Sequence, residues 1–149
     1  MIETHMKPKK TETKKVKAKK GFTYAAGKRK TSSARVRLYS GQGDSMVNGL
    51  LIGKYFPGES MRILWSKPFE LTDTLGKFYI TAKVAGGGRK GQLDAVVQAT
   101  AKALSSLDLV NFRLPLKKAG LLTRDARERE RRKVGTGGKA RRAKQSPKR

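Results

Sequence analysis

The 149-residue chain has no cysteine and one histidine, His5. Without thiols there is no disulfide framework, no thiolate zinc or iron–sulfur site and no cysteine nucleophile. A lone histidine near the chain start gives a His-based triad or zinc centre no partners. No run of 18 apolar residues occurs, so no membrane span is encoded. The Lys-rich start has no apolar stretch behind it and does not read as a secretory signal. A cytoplasmic protein is expected. Acidic residues are scarce: 11 Asp and Glu face 36 Lys and Arg, a formal net charge of +25. The carboxylates of the middle are spread singly, and only Lys is at hand to activate the many Ser and Thr. No enzyme, no cofactor and no metal site is expected. So large a surplus of one sign repels itself in a compact state, and a polyanionic partner is expected.

The surplus is unevenly placed. Residues 1–20 hold eight Lys and two Glu, and residues 126–149 hold 11 basic and two acidic residues. The 105 residues between hold 17 basic and seven acidic. Both ends have too few apolar side chains to offset an ordering entropy of roughly 1–2 kcal/mol per residue. They read as tails that order only against an anion: a Lys-rich extension over 1–20 and a basic C-terminal tail over 126–149. Fully extended, the latter reaches about 80 Å at ~3.3–3.6 Å per residue.

Residues 21–125 carry the patterns of a folded domain. Over Ser33–Ser40, Ala34, Val36 and Leu38 alternate with Arg35, Arg37 and Tyr39, a half-buried strand with a basic outer face. Gly41-Gln42-Gly43-Asp44 signals a turn, with Ser45–Asn48 as the return strand of a hairpin closed by Asn48-Gly49. Leu50–Phe56 suggests a helical turn stopped by Pro57-Gly58, and Glu59–Trp65 a short helix limited by Pro68. Phe78–Val84 alternates again. Gln92–Leu107 predicts the longest helix, with Leu93, Val96, Val97, Thr100, Leu104 and Leu107 on one face. A last helix over Val110–Ala119 ends at Gly120. The expected class is α+β: about four strands, one long helix, one or two short helices and a basic tail at each end. A monomer is expected.

Three segments carry the chemistry. Gly86, Gly88 and Gly91 satisfy the spacing G-x-G-x-x-G between a strand and a helix. The dinucleotide reading fails on context, because Asp108 ends a helix rather than a strand and no second βαβ unit follows. The loop keeps its physical meaning: close backbone approach, helix N–H groups and the charges of Arg89 and Lys90 suit phosphate. The plain alternative is a tight strand-to-helix connection. Lys28, Arg29 and Lys30 run into the strand bearing Arg35 and Arg37, a phosphate platform or, alternatively, a solvated edge. In the C-terminal tail Arg outnumbers Lys, which favours bidentate phosphate contact over plain solubility. Arg127–Lys133 has the alternating charge of a turn or two of helix. The aromatics Tyr39, Tyr55, Phe56, Trp65, Phe69, Phe78 and Tyr79 read as core and its margins. Few of them lie among the basic clusters, which disfavours a stacking single-strand binder.

These segments resemble a known family. Gly27-Lys28-Arg29-Lys30-Thr31 leading into Ala34-Arg35-Val36 resembles the opening signature of the small-subunit ribosomal protein S-nine family, in its bacterial form. Gly86-Gly87-Gly88 with Gly91-Gln92 resembles its glycine loop. Arg113, Leu116-Lys117-Lys118-Ala119-Gly120-Leu121-Leu122-Thr123-Arg124-Asp125 resembles its turn into the tail. Arg131-Arg132-Lys133-Val134-Gly135, Lys139-Ala140-Arg141-Arg142 and the ending Lys148-Arg149 resemble the tail. The match runs from about Thr23 to Arg149.

The resemblance implies the fold of the second domain of ribosomal protein S-five, with a βαβ unit of left-handed crossover. It implies binding to small-subunit ribosomal RNA in the head, beside other head proteins, and a tail that reaches the peptidyl-site tRNA. Carried onto this chain, the ribosomal RNA contacts are Lys28, Arg29, Lys30, Arg35, Arg37, Gly86, Gly87, Gly88, Arg89 and Lys90 in the domain. In the tail and its root they are Arg124, Arg127, Arg131, Arg132, Lys133, Lys139, Arg141, Arg142 and Lys144. Lys148 and Arg149 are the tRNA contacts. Ser146-Pro147 stands where the family usually has Phe-Ser, and the extension 1–20 has no counterpart in shorter members. The competing reading is a basic protein that compacts DNA.

Overall fold

The computed structural model describes residues 21–132. The elements are strand β1 (Phe22–Arg29), β2 (Ser32–Ser40), β3 (Met46–Val47) and β4 (Leu50–Leu51), helices α1 (Ile52–Tyr55) and α2 (Glu59–Glu70), strand β5 (Phe78–Ala85), and helices α3 (Arg89–Leu107) and α4 (Arg113–Lys118). The sheet order is β1-β2-β5-β3-β4. β1, β2 and β5 are antiparallel neighbours, whereas β3 runs parallel to β5. The chain from β3 to β5 passes through α1 and α2, which makes a βαβ unit. This α+β architecture is consistent with the S-five second-domain type that the resemblance implies.

One face of the sheet is the core. Ala34, Val36 and Leu38 of β2 and Ile80, Ala82 and Val84 of β5 are buried with Leu93, Val96 and Leu104 of α3. Fully burying each large aliphatic side chain is worth roughly 1.5–3 kcal/mol. Alanines at 95, 99 and 103, all fully buried, let α3 lie close to the sheet. The approach is closest at Gly27, where a Cβ would stand 2.2 Å from the Ala95 carbonyl oxygen and 2.8 Å from the Ala99 nitrogen. The same helix covers the free edge of β1. The Lys28 N–H donates to Gln98 Oε1 at 3.0 Å, and Lys102 Nζ donates to the Ala26 carbonyl at 3.4 Å. An edge strand blunted in this way does not template pairing with another chain.

The structure departs from the sequence expectations in several places. The sheet has five strands rather than about four: Phe22–Arg29 is a strand in its own right, and Leu50–Leu51, expected to open a helical turn, pairs with β3 as β4. The Ala-Ala-Gly centre of β1 is a poor strand signal that α3 overrides. α3 itself starts at Arg89, one turn before the expected Gln92. Ser45–Asn48 is not the return strand of a hairpin with β2. β5 takes that place, and the short β3 lies beyond it. The Asn48 side chain completes the ladder by accepting from Val84 N–H at 2.9 Å and donating to Val84 C=O at 3.1 Å. Asn48 and Gly49, at φ of 50° and 83°, form the turn between β3 and β4.

α2 continues through Pro68 to Glu70. Met61, Trp65, Pro68 and Phe69 recur at helical spacing and pack on the core, and that burial offsets the backbone bond lost at the proline. α4 begins at Arg113 rather than Val110, so Pro115 falls in the first turn, where N–H groups have no intrahelical partner. Arg127–Arg132 has no helix; nothing apolar there packs against the domain to support one. Extension 1–20 and the tail beyond Arg132 lie outside the described residues.

The Gly27 contact gives a direct test. Gly27→Ala places a methyl group on helix backbone and should cost roughly 1–3 kcal/mol or more of unfolding free energy, measured by urea denaturation. Gly53→Ala, with open space at its Cβ position, should stay within about 1 kcal/mol of the parent.

Candidate nucleic-acid interface

Clusters far apart in sequence meet at one end of the domain. β1 and β2 are joined by the two-residue turn Lys30-Thr31, with Lys30 at φ 52°, a left-handed conformation uncommon outside Gly, Asn and Asp. The glycine loop packs against this turn. Gly86 and Gly87 have φ of 75° and 62°, and a Cβ at either would overlap Thr31 O or Ser32 Oγ, at 2.5 and 2.1 Å. Gly91 approaches the same hydroxyl, with a Cβ position 2.8 Å away. Ser32 Oγ donates to the Gly86 carbonyl at 3.1 Å, and Gln92 Nε2 donates to it at 3.0 Å. Tyr55 O–H holds Gln92 in turn, donating to its Oε1 at 2.9 Å. Close packing thus accounts for the glycines. Its consequence is electrostatic: exposed Lys30 is brought beside exposed Arg89 and Lys90 at the α3 N-terminus. The first N–H groups of that helix point into the same space.

Arg29 is turned the other way. Its side chain is only 16% exposed, with Nη2 3.1 Å from Asp125 Oδ2 and Nε 3.7 Å from Asp94 Oδ2. Nη1 donates to the Arg127 carbonyl at 2.6 Å and to the Asp125 carbonyl at 3.4 Å. Asp125 also accepts from the Arg127 backbone N–H at 3.0 Å and from the Arg127 guanidinium at 2.8–3.2 Å. The bonds from Arg127 come first, and with the charge of Arg29 they hold the Asp125 carboxyl well below the usual carboxylate range. The chain enters this clasp from α4 through a helix-ending motif. Gly120, at φ 72°, donates to Lys117 O at 3.0 Å, and Leu121 N–H donates to Leu116 O at 3.1 Å. Leu121 and Leu122 pack on the core. The tail therefore leaves the domain beside the turn and glycine loop in a fixed direction.

The face of the sheet turned away from α3 carries Arg35 and Arg37 of β2, both exposed. Register adds Lys83, opposite Arg35, and Lys28 two positions along β1 from Ala26. Lys28, Lys30, Arg35, Arg37, Lys83, Arg89 and Lys90 enter no ion pair among the described residues. Register also puts Phe22, Tyr39 and Tyr79 in one row on this face. Tyr39 stacks on Tyr79 at 5.1 Å, Phe22 lies 5.6 Å from Tyr39, and Arg37 sits 5.2 Å above the Phe22 ring. Tyr39 and Tyr79 are thus margin residues of the basic face, while Phe56 and Phe69 are core as expected.

Of the residues singled out in the sequence, Lys28, Lys30, Arg35, Arg37, Gly86, Gly87, Gly88, Arg89 and Lys90 lie exposed at this end or on this face. Arg124, paired with Glu128 at 4.0 Å, and exposed Arg127, Arg131 and Arg132 continue from the clasp. Lys133, Lys139, Arg141, Arg142, Lys144, Lys148 and Arg149 lie outside the described residues. Sequence reading missed Lys83, Phe22 and Tyr24, which only strand register brings to the site, and the carboxylates Asp94 and Asp125 that engage Arg29. No group of His, Cys, Asp or Glu suited to a metal occurs among the described residues.

The clasp makes two outcomes measurable. Because Asp125 titrates lower in the folded chain than in the unfolded one, its contribution is full above the ordinary carboxylate range and is lost progressively as pH falls from that range toward the lower folded value. Amide exchange at 121–127 should therefore accelerate as pH falls from about 4 to about 2, relative to core amides of α3 and after correction for intrinsic rates. Arg29→Ala should produce the same local loss of protection at neutral pH.

The family model described as ribosomal protein S9/S16 matches residues 27–149. Small ribosomal subunit protein uS9 of Maridesulfovibrio salexigens is 47% identical over 119 residues, covering 80% of this chain and 91% of that protein. Its counterpart uS9 of Leifsonia xyli subsp. xyli is 46% identical over 125 residues, covering 84% of this chain and 74% of that protein. The residues that the family model matches take in the turn, the glycine loop, the clasp and the tail. The chain belongs to the ribosomal protein S9/S16 family.

Proposed function

We propose that this chain, by its family a structural component of the small ribosomal subunit in the cytoplasm and not an enzyme, binds the ribosomal RNA of the subunit head. In this reading residues 21–125 are the docking domain, 126–149 a tail that threads between RNA helices, and Lys148 and Arg149 reach the peptidyl-site tRNA. Other head proteins are its neighbours. The observation that carries the reading is the convergence at one end. Lys30, Arg89 and Lys90 face outward with no acidic partner among the described residues, while Arg29 is directed inward and fixes where the tail begins. Such an arrangement suits folded RNA, whose backbone presents phosphates in a fixed geometry and is recognised largely by shape. The charge of the two ends, beyond what the domain itself carries, extends the same complementarity.

Binding to head-region RNA fragments should weaken steeply with salt. With about eight phosphates neutralised, the log–log slope should be roughly −5 to −7. A nearly flat response, or equal affinity for duplex DNA, would point to the DNA-compacting reading or to none. Lys30→Gly should separate binding from folding. It removes a charge and relaxes a left-handed backbone, so RNA affinity should fall while unfolding free energy holds or rises by a few tenths of a kcal/mol. Deleting Lys148 and Arg149 should weaken peptidyl-site tRNA binding in reconstituted subunits and leave assembly nearly intact. Unchanged tRNA affinity would remove the tail ending from the proposal.

A further inference from the structure

The sheet face turned away from α3 has a chemistry that phosphate binding alone does not require. Across β1, β2 and β5 its outward positions hold four cations and no carboxylate. Ala26, Ser33 and Ala85 keep the ground between them low. Three rings, Phe22, Tyr39 and Tyr79, are engaged with one another. Tyr79 is further covered by the loop between β2 and β3, since a Cβ at Gly43 would lie 2.9 Å from its ring. Tyr24 is different. It stands in the next row, opposite Arg37, is 55% exposed and has no aromatic contact among the described residues.

We propose that this face binds an unpaired stretch of RNA, with a base stacked on Tyr24 and the adjoining phosphates held by Arg35 and Lys83. The inference rests on the ribosomal RNA reading above and specifies the form of RNA taken at this surface. An exposed ring on a flat cationic sheet offers a π-face, which a paired and stacked duplex has no free base to meet. Arg37 is already held over Phe22 by a cation–π contact and so stiffens the floor beside Tyr24. A protein occupant fits less well, because the cores of protein interfaces are depleted of charged residues. Here, cations occupy the centre of the face. The linear order conceals this site: the rings at 22, 24, 39 and 79 become neighbours of Arg35, Arg37 and Lys83 only through strand pairing.

The test uses the full chain and two probes, an unpaired RNA dodecamer and a hairpin RNA of equal phosphate number, read by fluorescence anisotropy across a salt series. Tyr24→Ala should lose about five- to hundred-fold in affinity for the unpaired probe. Its affinity for the hairpin should stay near the parent value, which also reports that the variant is folded. Tyr24→Phe should restore binding. Lys83→Ala should weaken the unpaired probe and lower its salt slope by about one. Equal loss on both probes, or no loss with Tyr24→Ala, overturns the stacking site while a steep parent salt slope leaves the ribosomal RNA reading in place. A parent chain with no salt-dependent affinity for either probe overturns that reading instead. In reconstituted subunits, a photo-crosslinker at position 24 should label RNA; labelling of a protein would overturn the proposal.

Discussion

Everything at the basic end of this domain depends on how closely α3 approaches the β1–β2 hairpin. Helix backbone lies where the Cβ of residue 27 would be, the Thr31 carbonyl lies where that of residue 86 would be, and the Ser32 hydroxyl where that of residue 87 would be. Glycine at these positions is a steric requirement of the fold. The same contacts draw three cationic segments, separated by about 60 and 30 residues in the chain, onto one small surface. If the helix stood farther off, Arg29 would lose Asp94, one of the two carboxylates that hold it inward.

The electrostatics divide in a way the net charge hides. Arg29 and Arg127 share the carboxylate of Asp125 at the start of the tail, and Asp94 adds to the group from α3. Beyond that clasp, the turn, the loop and the outer sheet face bear cations with no ion-pair partner among the described residues. Carboxylates are thus used where the chain holds itself together and are absent from the outward positions of β1, β2 and β5. Exposed ion pairs contribute little individually, so the clasp acts as a network that includes two backbone carbonyls. Its role is directional. It fixes where a long charged segment begins and the direction in which residues 126–132 leave the domain.

Much of this was legible in sequence because period and composition are local signals. The alternation through Val36 and Leu38, the helical spacing from Leu93 to Leu104 and the glycine at the end of α4 all read correctly. What failed was non-local. Nothing in Ser45–Asn48 says that its neighbour is β5 rather than β2, since a two-residue strand has no pattern of its own and is held by the Asn48 side chain. β1 was hidden by its alanines and glycine, which are weak strand formers kept in place by the helix above them. Pro68 marked a helix end that the burial of Phe69 carried one turn farther.

The functional residues divide along the same line. A run such as Lys28-Arg29-Lys30 announces affinity for an anion but not which member meets it. Successive strand residues face opposite ways, and a turn follows, so three adjacent cations have three different fates. Lys28 joins the open sheet face, Lys30 crowns the turn against the glycine loop, and Arg29 is drawn inward by two carboxylates and two carbonyls. Charge counting treats the three as equivalent. Only the carboxylates brought up from residues 94 and 125 distinguish the one turned inward from the two that face out; Asp94 arrives through the helix packing that Gly27 permits, and Asp125 through the chain that leaves α4.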